Sequence, residues 1–159
     1  MTVNHKFFLH LAFQIAEKNL GKTGLNPSVG SIVVNNDTVI SSGVTSINGR
    51  PHAEFNALNK VKNTAGSTLY TSLEPCVHRG KTPPCTDIII KKKIKNVFFG
   101  LEDPDRRTFK KAKKILNANG IKTKLIRLKK YNNFYRSYII NKKFKIPFIS
   151  AKIAISKDC

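Results

Sequence analysis

The sequence predicts an α/β protein, a three-layer α/β/α sandwich around a mixed five-stranded sheet. Three observations carry this expectation. An apolar stripe at helical spacing opens the chain. A pair of short β-branched runs joined by a tight polar turn follows it. Beyond that hairpin, strand-like and helix-like stretches alternate, separated by Gly, Pro and Asn. Such alternation implies parallel strands joined by right-handed crossovers. With 159 residues the chain has the size of one domain able to bury a real core.

Residues 4 to 21 read as a helix. Phe8, Leu11, Ala12, Ile15 and Ala16 form one apolar stripe, and Gly21 and Gly24 end it. Ile32-Val33-Val34 is a buried-strand pattern, and Asn35-Asn36-Asp37 turns it into a second strand over Val39 to Val44. Gly43, Gly49 and Pro51 mark a loop leading to a helix from His52 to Val61, with Phe55, Leu58 and Val61 expected on one buried face. Thr68 to Thr71 is a strand. Residues 72 to 84 carry too many Gly and Pro for regular structure. Thr86 to Lys93 is a helix with Ile88, Ile89 and Ile90 expected inside; Lys91 to Lys93 suit its C-terminal dipole end. Val97 to Gly100 is a strand, Thr108 to Asn119 a helix closed by Gly120, and Lys124 to Leu128 a strand. Asn132 to Lys142 is a last helix, and Pro147 to Ile155 is strand-like.

The net charge is +20, from 29 basic and 9 acidic residues. Nucleic acid is nevertheless a disfavoured partner, because the lysines are scattered over several helices and their ends. The chain is also rich in Asn and Ile, which share A/T-rich codons with Lys, so genome composition accounts for much of the charge. A small anionic substrate needs only a few of these cations. No apolar run reaches the length of a membrane span, so no membrane partner is expected. The N-terminus enters the first helix without the shape of a signal peptide. Of three cysteines, two are framed like metal ligands, which suggests a reducing compartment and a cytoplasmic location.

The stretch from His52 to Cys85 carries the chemistry. It holds His52-Ala53-Glu54, Ser72-Leu73-Glu74-Pro75-Cys76 and Gly80-Lys81-Thr82-Pro83-Pro84-Cys85. One imidazole and two thiols make a three-ligand zinc site whose fourth tetrahedral position stays open for water, as in catalytic rather than structural zinc. His-x-Glu followed by Pro-Cys-x-x-Cys is the pattern of zinc deaminases; this chain departs from its second half, because Cys76 and Cys85 enclose eight residues. His52 and Glu54 are two apart and do not share a helix face. Both serve one site only if that site caps the helix at its N-terminal end. Cys85 also precedes a helical pattern, so the metal is expected between two helix starts, whose dipoles favour thiolate. Cys76 falls at a strand end, where α/β folds place their sites.

In this reading His52, Cys76 and Cys85 hold Zn2+. Glu54 is not a ligand; it takes a proton from the attacking water and passes it to the leaving amine of an amidine-like ring carbon. Taken singly, a His before a helix is a cap or surface residue and a Cys is a small hydrophobe. It is their order, with Glu54 in place, that favours the catalytic site. The alternative at this point is a structural zinc with His78 as fourth ligand.

The run Cys76-Val77-His78-Arg79-Gly80-Lys81-Thr82-Pro83-Pro84-Cys85 resembles the deaminase domain of the bifunctional riboflavin-biosynthesis enzyme. That enzyme joins a diaminohydroxyphosphoribosylaminopyrimidine deaminase to a 5-amino-6-(5-phosphoribosylamino)uracil reductase, and its deaminase half belongs to the cytidine-deaminase-like superfamily. Asn26-Pro27-Ser28-Val29-Gly30, Pro51-His52-Ala53-Glu54 and Glu102-Asp103-Pro104 extend the resemblance over the whole chain. It implies a cytidine-deaminase-like fold and the second step of riboflavin synthesis from GTP. In that step 2,5-diamino-6-(5-phosphoribosylamino)pyrimidin-4(3H)-one loses its 2-amino group. It further implies that Asn26, His78, Lys81 and Asp103 contact this small phosphorylated pyrimidine, Lys81 suiting the phosphate.

The chain departs from the family at Thr45, where a histidine is usual. Asp105 and Arg106 replace Asn-Pro, and Lys110 and Ala112 replace two glycines. An acid at Asp105 is unfavourable beside a phosphate unless Arg106 or Arg107 offsets it. By the same resemblance, residues 1–145 make the deaminase domain and 146–159 look like the start of a reductase domain that is truncated or absent. No nicotinamide-binding region accompanies it, so the partner is expected to be a separate reductase chain or a second copy in a homo-oligomer. Two competing readings are a tRNA adenosine or cytidine-type deaminase, whose families resemble Pro-Cys-x-x-Cys instead, and a silent deaminase-like nucleic-acid binder. Glu54 argues against silence.

Overall fold

In a computed structural model, which describes residues 3–156, the expected order of elements is present. The helices are α1 (His5–Glu17), α2 (Ala53–Leu58), α3 (Cys85–Lys91), α4 (Ala112–Ala118) and α5 (Arg136–Phe144). The strands are β1 (Gly30–Asn35), β2 (Thr38–Val44), β3 (Thr68–Leu73), β4 (Asn96–Leu101) and β5 (Lys122–Leu125). They form one sheet in the order β2-β1-β3-β4-β5. β1 runs antiparallel to both β2 and β3, whereas β3, β4 and β5 are parallel, so the sheet is mixed as expected. Asn36 and Asp37 both take positive φ in the β1–β2 turn. That is the backbone a two-residue hairpin of the right twist requires, and Asn and Asp tolerate it.

Alternation along the strands builds the layers. Val33, Leu69 and Val97 face Ala57 and Leu58 of α2, Ile89 of α3 and Leu116 of α4. Their neighbours Ile32, Val34, Tyr70 and Phe98 face the other way, against Phe8 and Leu9 of α1. On that second side Phe13 also gathers Tyr131 and Tyr135 at the start of α5. Phe13 and Tyr131 stack with ring centroids 4.0 Å apart. α2 lies directly on the sheet because Gly43 has no side chain. A Cβ there would sit 2.4 Å from both the Ala53 carbonyl oxygen and the Ala57 nitrogen.

This close approach explains one departure from expectation. The inward face of α2 is Ala53, Glu54, Ala57 and Leu58, the small residues that fit over Gly43, and Phe55 is 46% exposed. Of the three isoleucines of α3 only Ile89 is fully buried. Ile88 and Ile90 are half-buried, since three consecutive helical residues cannot share a face. α4 starts at Ala112 and not at Thr108, for a reason found in the site below. Residues 147–156 form no strand, and Ile149, Ile153 and Ile155 are exposed. Lys157, Asp158 and Cys159 lie outside the described residues. No helix among the described residues is long and apolar enough to cross a membrane.

Beyond Lys145 the chain touches α5 through Phe148, whose ring lies 5.6 Å from the Arg136 guanidinium, and through the Ile146 carbonyl, which accepts from Asn141 Nδ2 at 3.5 Å. A contact of cation and ring is worth about 0.5–1 kcal/mol at an exposed site. Truncation after Lys145 is therefore expected to lower the melting temperature by no more than about 4 °C. Unfolding of the truncated chain in a calorimetric scan would show that the tail belongs to the core.

Candidate active site

His52, Cys76 and Cys85 come together although they are far apart in sequence. Their ligating atoms all lie within 4.8 Å of one another. His52 Nδ1 is 3.3 Å from Cys85 Sγ and 3.6 Å from Cys76 Sγ. Tetrahedral bonds of the usual Zn–N and Zn–S lengths would separate N and S by about 3.5 Å, so the donor set fits that ion as it stands. Each ligand sits where its element ends. His52 is the N-cap of α2, Cys85 is the first residue of α3, and Cys76 follows the last residues of β3. The Cys85 amide donates to Cys76 Sγ at 3.3 Å, so the open end of α3 is already turned toward a thiolate. The hydrogen bond from Cys85, with His52 beside it, lowers the Cys76 thiol to about 4 against the pull of burial. The Cys85 thiol is pushed up by the same partner and by full burial. Only Cys76 is thus favoured as a thiolate by the protein alone, and a cation between the two sulfurs would let Cys85 ionise as well.

Glu54 stands in the first turn of α2, two residues after His52. It is buried, and its Oε2 is 3.4 Å from Cys85 Sγ. Burial, with Cys76 adding to it, pushes its carboxyl up to about 7. A carboxyl poised there both accepts and returns a proton near neutral pH. His78 stays out of the ligand cluster, because its Nδ1 pairs with Thr108 Oγ1 at 3.2 Å. A fourth protein ligand is thus not supplied by the residue that a structural site would have used.

A second carboxylate, Glu74, shapes the other wall. It lies two residues before Cys76 and is 2% exposed. Its Oε2 accepts from the backbone N–H of Asp103 at 3.3 Å and of Lys110 at 3.1 Å. Its Oε1 accepts from Ala112 N–H at 3.1 Å. This captures the loop after β4 and caps α4 at its first residue, with Lys110 in the left-handed region at φ 59°. α4 therefore cannot begin at Thr108. Burial raises the Glu74 carboxyl and the three N–H groups oppose the rise.

The clamped loop and the ligands enclose a cavity of about 260 Å³. Asn26, His78, Lys81 and Asp103 all line it, together with His52, Glu54 and Cys76. Asn26 Nδ2 donates to the Gly49 carbonyl at 2.9 Å, which leaves its Oδ1 for the cavity. Asp103 is buried and pushed up to about 6 by desolvation. Its Oδ1 accepts from Asp105 N–H at 2.9 Å and from Tyr138 O–H at 3.1 Å. Thr45, in the histidine position, is turned inward and accepts from Val29 N–H at 3.0 Å. The Asp105 departure is offset by Arg107 and Lys142, not by Arg106. Four lining residues were given no role from the sequence: Arg50, Glu74, Tyr138 and Lys142. Tyr138 and Lys142 lie four apart on one face of α5, below Tyr135, whose hydroxyl pairs with Ser72 and Ser28. That 3-then-4 spacing of Tyr135, Tyr138 and Lys142 was the available signal.

Glu74→Gln replaces one acceptor by an amide that confronts a backbone N–H. The expected cost is roughly 1–3 kcal/mol, read as a lower urea midpoint. An unchanged midpoint would mean that the loop holds its shape without the carboxylate.

Residues 2–101 match the family described as the cytidine and deoxycytidylate deaminase zinc-binding region. The riboflavin biosynthesis protein RibD of Bacillus amyloliquefaciens is 35% identical over 156 residues, which is 96% of this chain and 42% of that protein. The diaminohydroxyphosphoribosylamino-pyrimidine deaminase of Buchnera aphidicola is 38% identical over 131 residues, covering 82% of this chain and 89% of that one. A solved structure of the deaminase/reductase of Thermotoga maritima superposes with a TM-score of 0.81 at 35% identity, over 91% of this chain and 42% of that one. The chain thus spans about two-fifths of the length of its two-enzyme relatives and nearly the full length of the Buchnera deaminase. It belongs to the cytidine and deoxycytidylate deaminase family of zinc-binding domains, alongside that diaminohydroxyphosphoribosylamino-pyrimidine deaminase.

Proposed function

We propose that this chain deaminates 2,5-diamino-6-(5-phosphoribosylamino)pyrimidin-4(3H)-one to 5-amino-6-(5-phosphoribosylamino)uracil, releasing ammonia. The reaction is the second step of riboflavin synthesis from GTP. The observation that carries the reading is the His52, Cys76 and Cys85 cluster with buried Glu54 against it, opening on a cavity that Asn26, His78, Lys81 and Asp103 also line. The name of the Buchnera relative supports the choice of substrate.

His52, Cys76 and Cys85 would hold one Zn2+, which when bound makes a water acidic enough to act as nucleophile near pH 7. Glu54 accepts a proton from the attacking water and delivers it to the departing 2-amino group, so ammonia and not an amide ion leaves. Its burial keeps bulk water from competing for that proton. Asn26 Oδ1 accepts from a substrate N–H, its amide being oriented by the one N–H that it donates to Gly49. Asp103 offers Oδ2, because Oδ1 is already shared by Asp105 and Tyr138. His78 presents its free Nε2, and Lys81 makes no ion pair among the described residues, leaving it for the substrate. Residues 1–145 carry this activity in our reading. Residues 146–159 correspond in our reading to the start of a reductase domain, or to the point at which a separate reductase chain docks.

Ammonia release from the phosphoribosyl pyrimidine, cytidine and tRNA, assayed side by side, tests the substrate. Release from cytidine or tRNA alone would replace the reading by that of another deaminase. Cys85→Ser is expected to purify with far less than one zinc per chain by metal analysis; a full complement would remove Cys85 from the ligands. Glu54→Gln is expected to keep zinc and fold but lose roughly two to four orders of magnitude in kcat. Turnover near that of the parent would mean that another group carries the proton.

A further inference from the structure

We propose that the anionic end of the ligand is gripped by Arg107 and Lys142, a pair of cations aligned by Asp105 at the outer rim of the catalytic cavity. The proposal deepens the reading above by naming the phosphate subsite, and it rests on that reading for the identity of the ligand.

Asp105 is the starting point. Its side chain is only 10% exposed, and alone it would repel a phosphate. It is not alone. Arg107 Nε donates to Oδ1 at 3.0 Å and Nη2 to Oδ2 at 2.6 Å, a two-pronged grip. Arg107 N–H adds a third bond to Oδ1 at 3.0 Å, and Lys142 Nζ reaches Oδ2 at 3.2 Å. The Arg107 bonds hold this carboxyl well below the usual carboxylate range, so it stays ionised. Two cations on one carboxylate leave a surplus of one positive charge. They also leave donors: Arg107 has used two of its five side-chain N–H groups and Lys142 one of three.

Position decides what those donors meet. Asp105, Arg107 and Lys142 line the cavity that holds Glu54 and Cys76. The same three residues line an adjoining cleft of about 680 Å³ with Pro104, Arg106, Lys143 and Lys145. The cleft thus presents five cations and one acid, and the acid is already engaged. A ligand whose base lies at Glu54 and whose other end carries a phosphate meets this pair as it leaves the inner cavity. The pair is also held in place. Arg107 is fixed by its fork on Asp105. Lys142 lies 5.5 Å over the Tyr138 ring, and Tyr138 is anchored on Asp103. Side chains already ordered lose little entropy on binding. Lys81, the cation expected from the sequence to meet the phosphate, lines the inner cavity only and is not part of the cleft.

The test uses the zinc-loaded full chain with the phosphoribosyl pyrimidine and its dephosphorylated form. Lys142→Met and Arg107→Met should each raise KM for the phosphorylated substrate at least about tenfold more than for the dephosphorylated one, the size of one lost charge-assisted hydrogen bond. Lys142→Arg should restore most of the loss, and Lys81→Ala should discriminate less between the two substrates. Equal losses on both substrates in the Met variants, with melting temperatures unchanged, would overturn the proposal. A binding arm separates it from the choice of reaction. Ribose 5-phosphate, followed by amide NMR shifts, should bind the parent and compete with inorganic phosphate, ribose should not bind, and Lys142→Met should lose the binding. If the parent fails to deaminate the pyrimidine, the proposed reaction falls while the ribose 5-phosphate arm still decides the subsite. Equal binding of ribose 5-phosphate by the parent and both Met variants would overturn the subsite whatever the reaction proves to be.

Discussion

The carboxylate of Glu74 is the constraint on which the site depends. It sits at the end of β3, inside the protein, and holds three backbone N–H groups from the loop after β4. The same strand end supplies Cys76 two residues later. One short piece of chain therefore sets both the position of a metal ligand and the position of the wall opposite. Thr108, which orients His78, and Asp103, which faces the cavity, lie on the loop that Glu74 holds. Replacing a family glycine by Lys110 in a left-handed conformation costs about 1 kcal/mol in backbone terms. The bond from its N–H to Glu74 offsets a cost of that size.

The metal ligands show a second economy of construction. α2 and α3 both begin at the cluster, and the first amides of α3 are spent on Cys76, Cys85 N–H on its Sγ and Thr86 N–H on its carbonyl. The Cys76 thiolate is thus stabilised by backbone without any added side chain. Gly43 lets α2 approach the sheet closely, because its missing Cβ makes room for the Ala53 and Ala57 backbone. The active site is thus held by the packing of the sheet as much as by its own hydrogen bonds.

What could be read from the sequence follows from this construction. The order of elements was legible because hydrophobic period and Gly or Pro punctuation are local. The convergence of His52, Glu54 and Cys85 on helix starts was legible because two residues at i and i+2 meet at a helix end and nowhere else along it. Phe55 was misplaced because a six-residue helix is too short for its apolar stripe to fix the inward face; the glycine beneath it does. The start of α4 was misplaced because the residue that stops it, Glu74, lies 36 positions away from Lys110. Tyr138 and Lys142 were passed over because each is an ordinary surface residue until α5 folds back over the loop. Asp105 looked unfavourable because only one of its two cations, Arg107, is near it in sequence; Lys142 lies 37 positions away and is its neighbour only in space.

β5 closes one side of the sheet, and it is only four residues long. Lys122 and Lys124 project from it into solvent while Thr123 turns inward. Short length and lysines are how natural sheets keep an open edge from pairing with stray chains. That protection matters here because residues 147–156 carry an exposed run of Phe148, Ile149, Ile153 and Ile155, with a composition that favours strand formation. Adding such a segment to β5 would strip water from two ammonium groups for a ladder of four residues at most. The edge therefore guards the domain against its own tail, and against the tails of its copies, so that a crowded solution of this chain resists the strand-on-strand growth that leads to fibres.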